Sequence, residues 1–136
     1  MISLSGFHCS RCFVYWFCLS CARILKDGNS NHQYSVIVVG GETDAGITNS
    51  VELLDEDSDE WHFGTSSSLP VPILSAALVE YAGGVLLIGG QLEDGTLLNT
   101  IYHLANAEAS WTLLPMTLSV PRSGLTAFLV DDPFCT

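Results

Sequence analysis

Two apolar runs in this chain stop on a pair of glycines: "SVIVVGG" at 35–41 and, within "YAGGVLLIGG", "GVLLIGG" at 84–90. Both runs are rich in β-branched and aliphatic residues, bounded by glycine and too short for helices, which is the pattern of strands buried on both faces. "TNSVELLD" (48–55) and "LLNTIYHLA" (97–105) alternate more loosely, as half-buried strands do. "DEWHFGT" (59–65) and "ASWTLLP" (109–115) each place a tryptophan on the strand that follows, and "ILSAALVEY" (73–81) and "GLTAFLVDD" (124–132) supply one further strand apiece. Between them, "ETDAGITN" (42–49) and "QLEDGTLLN" (91–99) carry the Gly, Asn and Asp of turns.

The order of these elements repeats. Gly40-Gly41 answers to Gly89-Gly90, Val51 to Ile101, Leu54 to Leu104, Trp61 to Trp111, Pro72 to Pro121, and Ser75-Ala76 to Ser123-Gly124, at offsets of 49, 50, 50, 50, 49 and 48. Four short strands in roughly fifty residues make one blade of a β-propeller.

The glycine pair after an apolar run, the "VELLD" strand, a tryptophan seven positions after Leu54 and Leu104, and "VPRSG" at 120–124 together resemble kelch repeats. The likeness runs from about Tyr34 to Asp132. It departs from the family pattern at Leu54 and Leu104, where tyrosine is usual, and at Pro72-Ile73, where only the second unit has Pro121-Arg122. The resemblance implies an all-β chain: a partial kelch-type propeller of about two four-stranded antiparallel blades (34–136) behind an irregular N-terminal extension (1–33). Gly40, Gly41, Trp61, Gly89, Gly90, Trp111 and Pro121 define the repeat. It also implies a protein–protein interaction module that is not an enzyme, with partners meeting the loops at 42–46, 66–73, 91–96 and 115–123. Glu42, Asp44, Glu93, Asp94 and Arg122 are the candidate contacts, Arg122 being suited to anchor carboxylates or backbone carbonyls.

In the family such surfaces recruit substrates to cullin-RING ubiquitin ligases or bind actin. No BTB or BACK segment stands in these 136 residues, so the resemblance extends the adaptor role only as one option. Kelch-type propellers that are copper oxidases or sialic-acid-processing proteins make an enzyme fragment the alternative, and a nonfunctional remnant is a third reading. Two blades cannot close a ring, and stacked repeats generally need at least about three units to cover their apolar faces. The expectation is a piece of a longer propeller, a truncated product, or a chain that completes its ring with other copies.

Charge and cysteine divide the chain at the same place. Arg11, Arg23 and Lys26 lie in the first 26 residues, which hold no acid; from Asp27 onward there are fifteen carboxylates and Arg122. The net charge of −11 lacks the basic footprint on which phosphate binding begins, which argues against nucleic acid and anionic membranes. "KDGNSNHQ" (26–33) carries loop signals at the break. Four of five cysteines (Cys9, Cys12, Cys18, Cys21) sit in the head and Cys135 near the end, so the acidic part has no internal disulfide framework and suits a reducing, cytoplasmic compartment.

The head "CSRCFVYWFCLSC" has two Cys-x-x-Cys pairs only five residues apart, against the dozen or more usual in zinc ribbons. A secretory signal is the second reading, with Arg11, an apolar core at 12–19 and small residues at 20–22; it would make the protein secreted. Arg11 and Arg23 bracket too few residues for a membrane span. A poorly structured extension is the preferred reading.

Downstream, no cofactor or metal is expected. The glycine pairs lack the spacing and the following helix of a nucleotide loop. "DEDSDE" (55–60) opens like a calcium loop, yet Glu60 stands where glycine is needed and Ser66 where a bidentate carboxylate is needed, so it reads as a solvated acidic turn. His62 and His103 read as surface or inter-blade residues, without a nucleophile placed beside them.

Overall fold

In the computed structural model, residues 20–22, 25–26, 33–55, 57–64 and 67–130 are described, with side chains from Val36 onward. In chain order the strands are β1 (Ser20–Ala22), β2 (Leu25–Lys26), β3 (Gln33–Val39), β4 (Glu42–Thr43), β5 (Gly46–Ile47), β6 (Val51–Asp55), β7 (Trp61–Phe63), β8 (Ala77–Tyr81), β9 (Gly84–Ile88), β10 (Thr100–Leu104) and β11 (Thr112–Thr117). Every pairing is antiparallel and no described residue is helical. The all-β expectation therefore holds.

Two sheets have the blade order. In the second, β8, β9, β10 and β11 are neighbours in sequence order. In the first, β3, β6 and β7 follow one another, and the outer edge of β3 is taken by β1 and β2, lying along it at Val39 to Ile37 and at Tyr34 to Gln33. These two short strands come from the head and occupy the position that β8 holds in the second blade. The small β4–β5 hairpin projects between β3 and β6. The zinc and signal readings rest largely on residues outside those described, Cys9, Cys12 and Cys18 among them; Cys21 stands in β1.

Both glycine pairs adopt one backbone shape. Gly40 and Gly41 have φ of 61° and 101°, Gly89 and Gly90 of 64° and 104°, values open to residues without a Cβ. Each first glycine donates back across the following loop, Gly40 to the Ser50 carbonyl and Gly89 to that of Thr100. Each second glycine donates to the loop that leaves the blade: Gly41 to Ile73 (3.0 Å) and Gly90 to Arg122 (2.9 Å). The pairs thus tie the inner end of one blade to the chain entering the next.

This bonding also corrects the register of the repeat at its end. Ile73 and Arg122 are equivalent at 49 residues, so Ser75 (φ 57°) corresponds to Gly124 (φ 65°), not to Ser123. A turn that needs a left-handed residue has glycine in one copy and a strained serine in the other.

The core lies between the sheets. Ile37, Val39, Val51 and Leu53 of the first blade meet Leu78, Val85, Leu87 and Leu104 of the second, with Leu69, Ile73 and Ala76 of the connecting chain closing the cluster. Alternation along each strand sorts the faces. In β3 the buried residues are Ile37 and Val39, with Val36 and Val38 half-buried; in β9 they are Val85 and Leu87, with Leu86 and Ile88 half-buried. At the 49-residue offset Ile37 corresponds to Leu86 and Val36 to Val85. The blades consequently pack through opposite faces, as stacked propeller blades do.

Residues 124–130, the expected last strand, join no ladder. The equivalent β8 is held by β9 over five residue pairs, from Ala77 with Ile88 to Tyr81 with Gly84.

At the β8–β9 turn Ala82 has φ 52° and Gly83 φ 79°, the two left-handed residues of a tight hairpin turn. Ala82 is exposed, and an asparagine tolerates this conformation better. Ala82→Asn is expected to raise stability by up to about 1 kcal/mol in urea unfolding followed by tryptophan fluorescence.

Candidate interaction surface

Strands that alternate in direction gather their connections at two ends. One end collects the 82–83 turn and the chain at 57–60 and 105–111; the other collects the loops at 40–50, 67–76, 89–99 and 118–124. All five candidate contact residues, Glu42, Asp44, Glu93, Asp94 and Arg122, fall at this second end, and each is exposed.

The two acidic loops come from different blades and abut. The Glu93 carboxylate lies 3.9 Å from where a Cβ on Gly46 would stand, so the 91–96 loop leans on the β4–β5 hairpin. Thr43 Oγ1 closes that hairpin by donating to the Gly46 carbonyl (3.0 Å) and accepting from the Ala45 amide. In the second loop, Leu92 and Thr96 are tied by a backbone bond, and Asp94 Oδ1 accepts from the Thr96 amide (2.9 Å). Hydrogen bonds from the Thr96 side chain and backbone hold the Asp94 carboxyl below the usual carboxylate range. Because that group is favoured in its charged form in the folded chain, the turn keeps this support at neutral pH and loses it as pH falls through the lowered value.

Arg122 sits on the loop leading out of the second blade. Its amide donates to Leu98 (3.0 Å), its carbonyl accepts from Gly90, and its Nε donates to the Val120 carbonyl (3.3 Å). Next to it, Ser123 Oγ donates to Gln91 Oε1 (3.3 Å), linking the Arg122 loop to the acidic 91–96 loop. Among the described residues no carboxylate forms an ion pair with Arg122, which is exposed on a loop joined through Ser123 to the acidic 91–96 loop.

The Trp111 indole N–H donates to the Ser67 carbonyl, binding the second blade to the chain that leaves the first. Trp111 stands one residue before β11, whereas Trp61 opens β7 opposite Leu54. Pro121 is exposed beside Arg122.

At the opposite end, the turn at 57–60 folds on the Asp55 carboxylate. Asp55 is buried, and its Oδ1 accepts from the amides of Asp57 (2.8 Å) and Ser58 (3.0 Å). A carboxylate committed to two backbone donors is a turn former, which the alternation of acids did not reveal. Among the described residues no three His, Cys, Asp or Glu side chains gather into a metal site. His62 is exposed; His103 is half-buried, edge-on to Tyr81 at 6.3 Å. No described helix is long and apolar enough to cross a membrane.

No protein-family model matches the chain. Over 92 residues, 62% of this chain, it is 30% identical to Kelch-like protein 40 of Xenopus tropicalis, and the matched stretch covers 15% of that protein.

Proposed function

We propose that this chain is a kelch-type protein-interaction module whose loop end, with Glu42, Asp44, Glu93 and Asp94, receives a basic surface of a partner protein. The likeness to Kelch-like protein 40, the fifty-residue repeat and the two blade-like sheets support the kelch reading. They point toward an interaction module rather than an enzyme. The observation that carries the choice of surface is the abutment of the two acidic loops: Glu93 leaning on Gly46 joins carboxylates of two blades into one field. Such a field attracts basic groups and raises association rates at low salt. Arg122 at its margin supplies one donor fork for a partner carboxylate or carbonyl, which fixes orientation.

The test uses a lysine- and arginine-rich peptide as the probe, with binding read by fluorescence anisotropy. Neutralising the loop acids together (Glu42→Gln, Asp44→Asn, Glu93→Gln, Asp94→Asn) is expected to weaken binding by about tenfold or more, with a shallower salt dependence. Neutralising Asp57, Asp59 and Glu60 at the opposite end is expected to change it little. Equal losses from both sets would show attraction to net charge alone and overturn the assignment.

A further inference from the structure

We propose that copies of this chain associate head to tail, the outer face of the second blade packing on the outer face of the first blade of the next copy. In this arrangement residues 126–130 of one copy pair with β3 of the next.

The interface inside the chain is the template. The first blade presents Ile37 and Val39 to Val85 and Leu87 of the second, and these are opposite faces of equivalent strands. The same operation applied once more would bring the outer face of the second blade, with Leu86 and Ile88, against a face like that of Val36, Val38 and Leu54. Those three residues are half-buried on the first blade, on the side away from the core. The chain therefore carries both halves of one further blade contact, at opposite ends. Joining them in succession is a heterologous contact, which builds rings or open chains of copies.

Residues 126–130 supply the edge of that contact. At the 49-residue offset they are the counterpart of β8, and they leave Phe128 77%, Leu129 62% and Val130 66% exposed. With Leu78, Val79, Tyr81 and Ala82, the side chains of Phe128 and Leu129 border a groove of about 500 Å³. The segment is anchored at its start beside the equivalent turn of the first repeat, where the Gly124 amide donates to the Ser75 carbonyl (2.8 Å).

Its pairing partner follows from the register of β8 with β9. Ala77 opposes Ile88, Leu78 opposes Leu87 and Val79 opposes Leu86. Shifted by one repeat, Thr126 would oppose Val39, Ala127 would oppose Val38 and Phe128 would oppose Ile37. Those three β3 residues are the ones that Ser20, Cys21 and Ala22 of β1 now oppose. β1 and β2 cover the edge in two pieces of three and two residues. Residues 126–130 offer a continuous strand with larger apolar side chains, so exchange between copies gains pairing and burial. The net charge of −11 on each copy opposes association, and salt that screens it strengthens the assembly.

The experiment uses the full chain. Sedimentation velocity is expected to show mass rising with concentration, more steeply at high salt, and Phe128→Asp with Val130→Asp is expected to weaken association about tenfold or more. Leu129→Lys, at another exposed position, serves if that double variant unfolds, with tryptophan fluorescence reporting the fold. For register, a chain bearing Ala127→Cys is mixed with one bearing Val38→Cys and treated with a short bismaleimide. A mapped intermolecular link between positions 127 and 38, absent when Ser68→Cys replaces Ala127→Cys, is the expected result. A chain that stays monomeric at every concentration, its open face left for a further blade of its own polypeptide, would overturn the proposal. Association without the 127–38 link would do so as well.

Discussion

Gly40→Ala is expected to lower the free energy of unfolding by about 3 kcal/mol, while Gly124→Ala costs about 1 kcal/mol. Both glycines are left-handed, with φ of 61° and 65°, so both substitutions incur the same backbone strain. They differ in what a methyl group meets. At Gly124 there is nothing within 4 Å, whereas at Gly40 the new Cβ would stand 2.3 Å from the Ile73 carbonyl oxygen. That oxygen is backbone and cannot rotate away. It also accepts the Gly41 amide bond, so moving it breaks a tie between the blades. Urea midpoints of the two variants, followed by tryptophan fluorescence, measure the difference. Equal destabilisation would mean that backbone strain alone explains the glycine pair and that close approach of the blades does not.

Leu104→Ala should remove about 3 kcal/mol and leave one unfolding transition rather than two. Leu104 is fully buried in β10, opposite Val85, in the cluster that also holds Ile37, Val51 and Leu53 of the first blade. A cavity there takes contacts from both sheets at once. Circular dichroism of the backbone and fluorescence of Trp61 and Trp111 should therefore move together. A variant in which the second blade melts first, leaving the Trp61 signal native, would show that each blade is stable by itself.

These two residues illustrate how much was legible beforehand. The glycine pair is visible in sequence because it repeats, and repetition with Trp61 and Trp111 at the same period marks it as architecture rather than a ligand loop. Its bonding to Ile73 and Arg122 was not visible, since neither residue type announces that its carbonyl will be used. Leu104 was legible as the counterpart of Leu54, yet their burial differs: Leu104 faces the shared core, and Leu54, on the outward side of the first blade, is only half-buried. Equivalence in sequence is not equivalence in environment when a stack has ends.

The candidate contacts divide in a similar way. Glu42, Asp44, Glu93, Asp94 and Arg122 could be placed on loops at one end because strand alternation alone decides which connections share an end. That Glu93 would rest against Gly46, or that Ser123 would reach Gln91, depends on the angle between the blades. The acids after β6 were legible as a turn but not as its internal support: Asp55 is buried rather than solvated, and its Oδ1 accepts from the amides of Asp57 and Ser58.

Sequence by itself determined the order of β3, β6 and β7 and of β8 to β11, the fifty-residue period, the turn positions and the divided charge, because each is carried by residue type and spacing along the chain. Tertiary structure decided the rest: the packing of opposite blade faces, the Trp111 bond to Ser67, the left-handed Ser75, and the capture of the β3 edge by residues 20–26. Those features join residues far apart in the chain through sheet twist and blade spacing. Both are collective properties of many residues, and no local pattern encodes them.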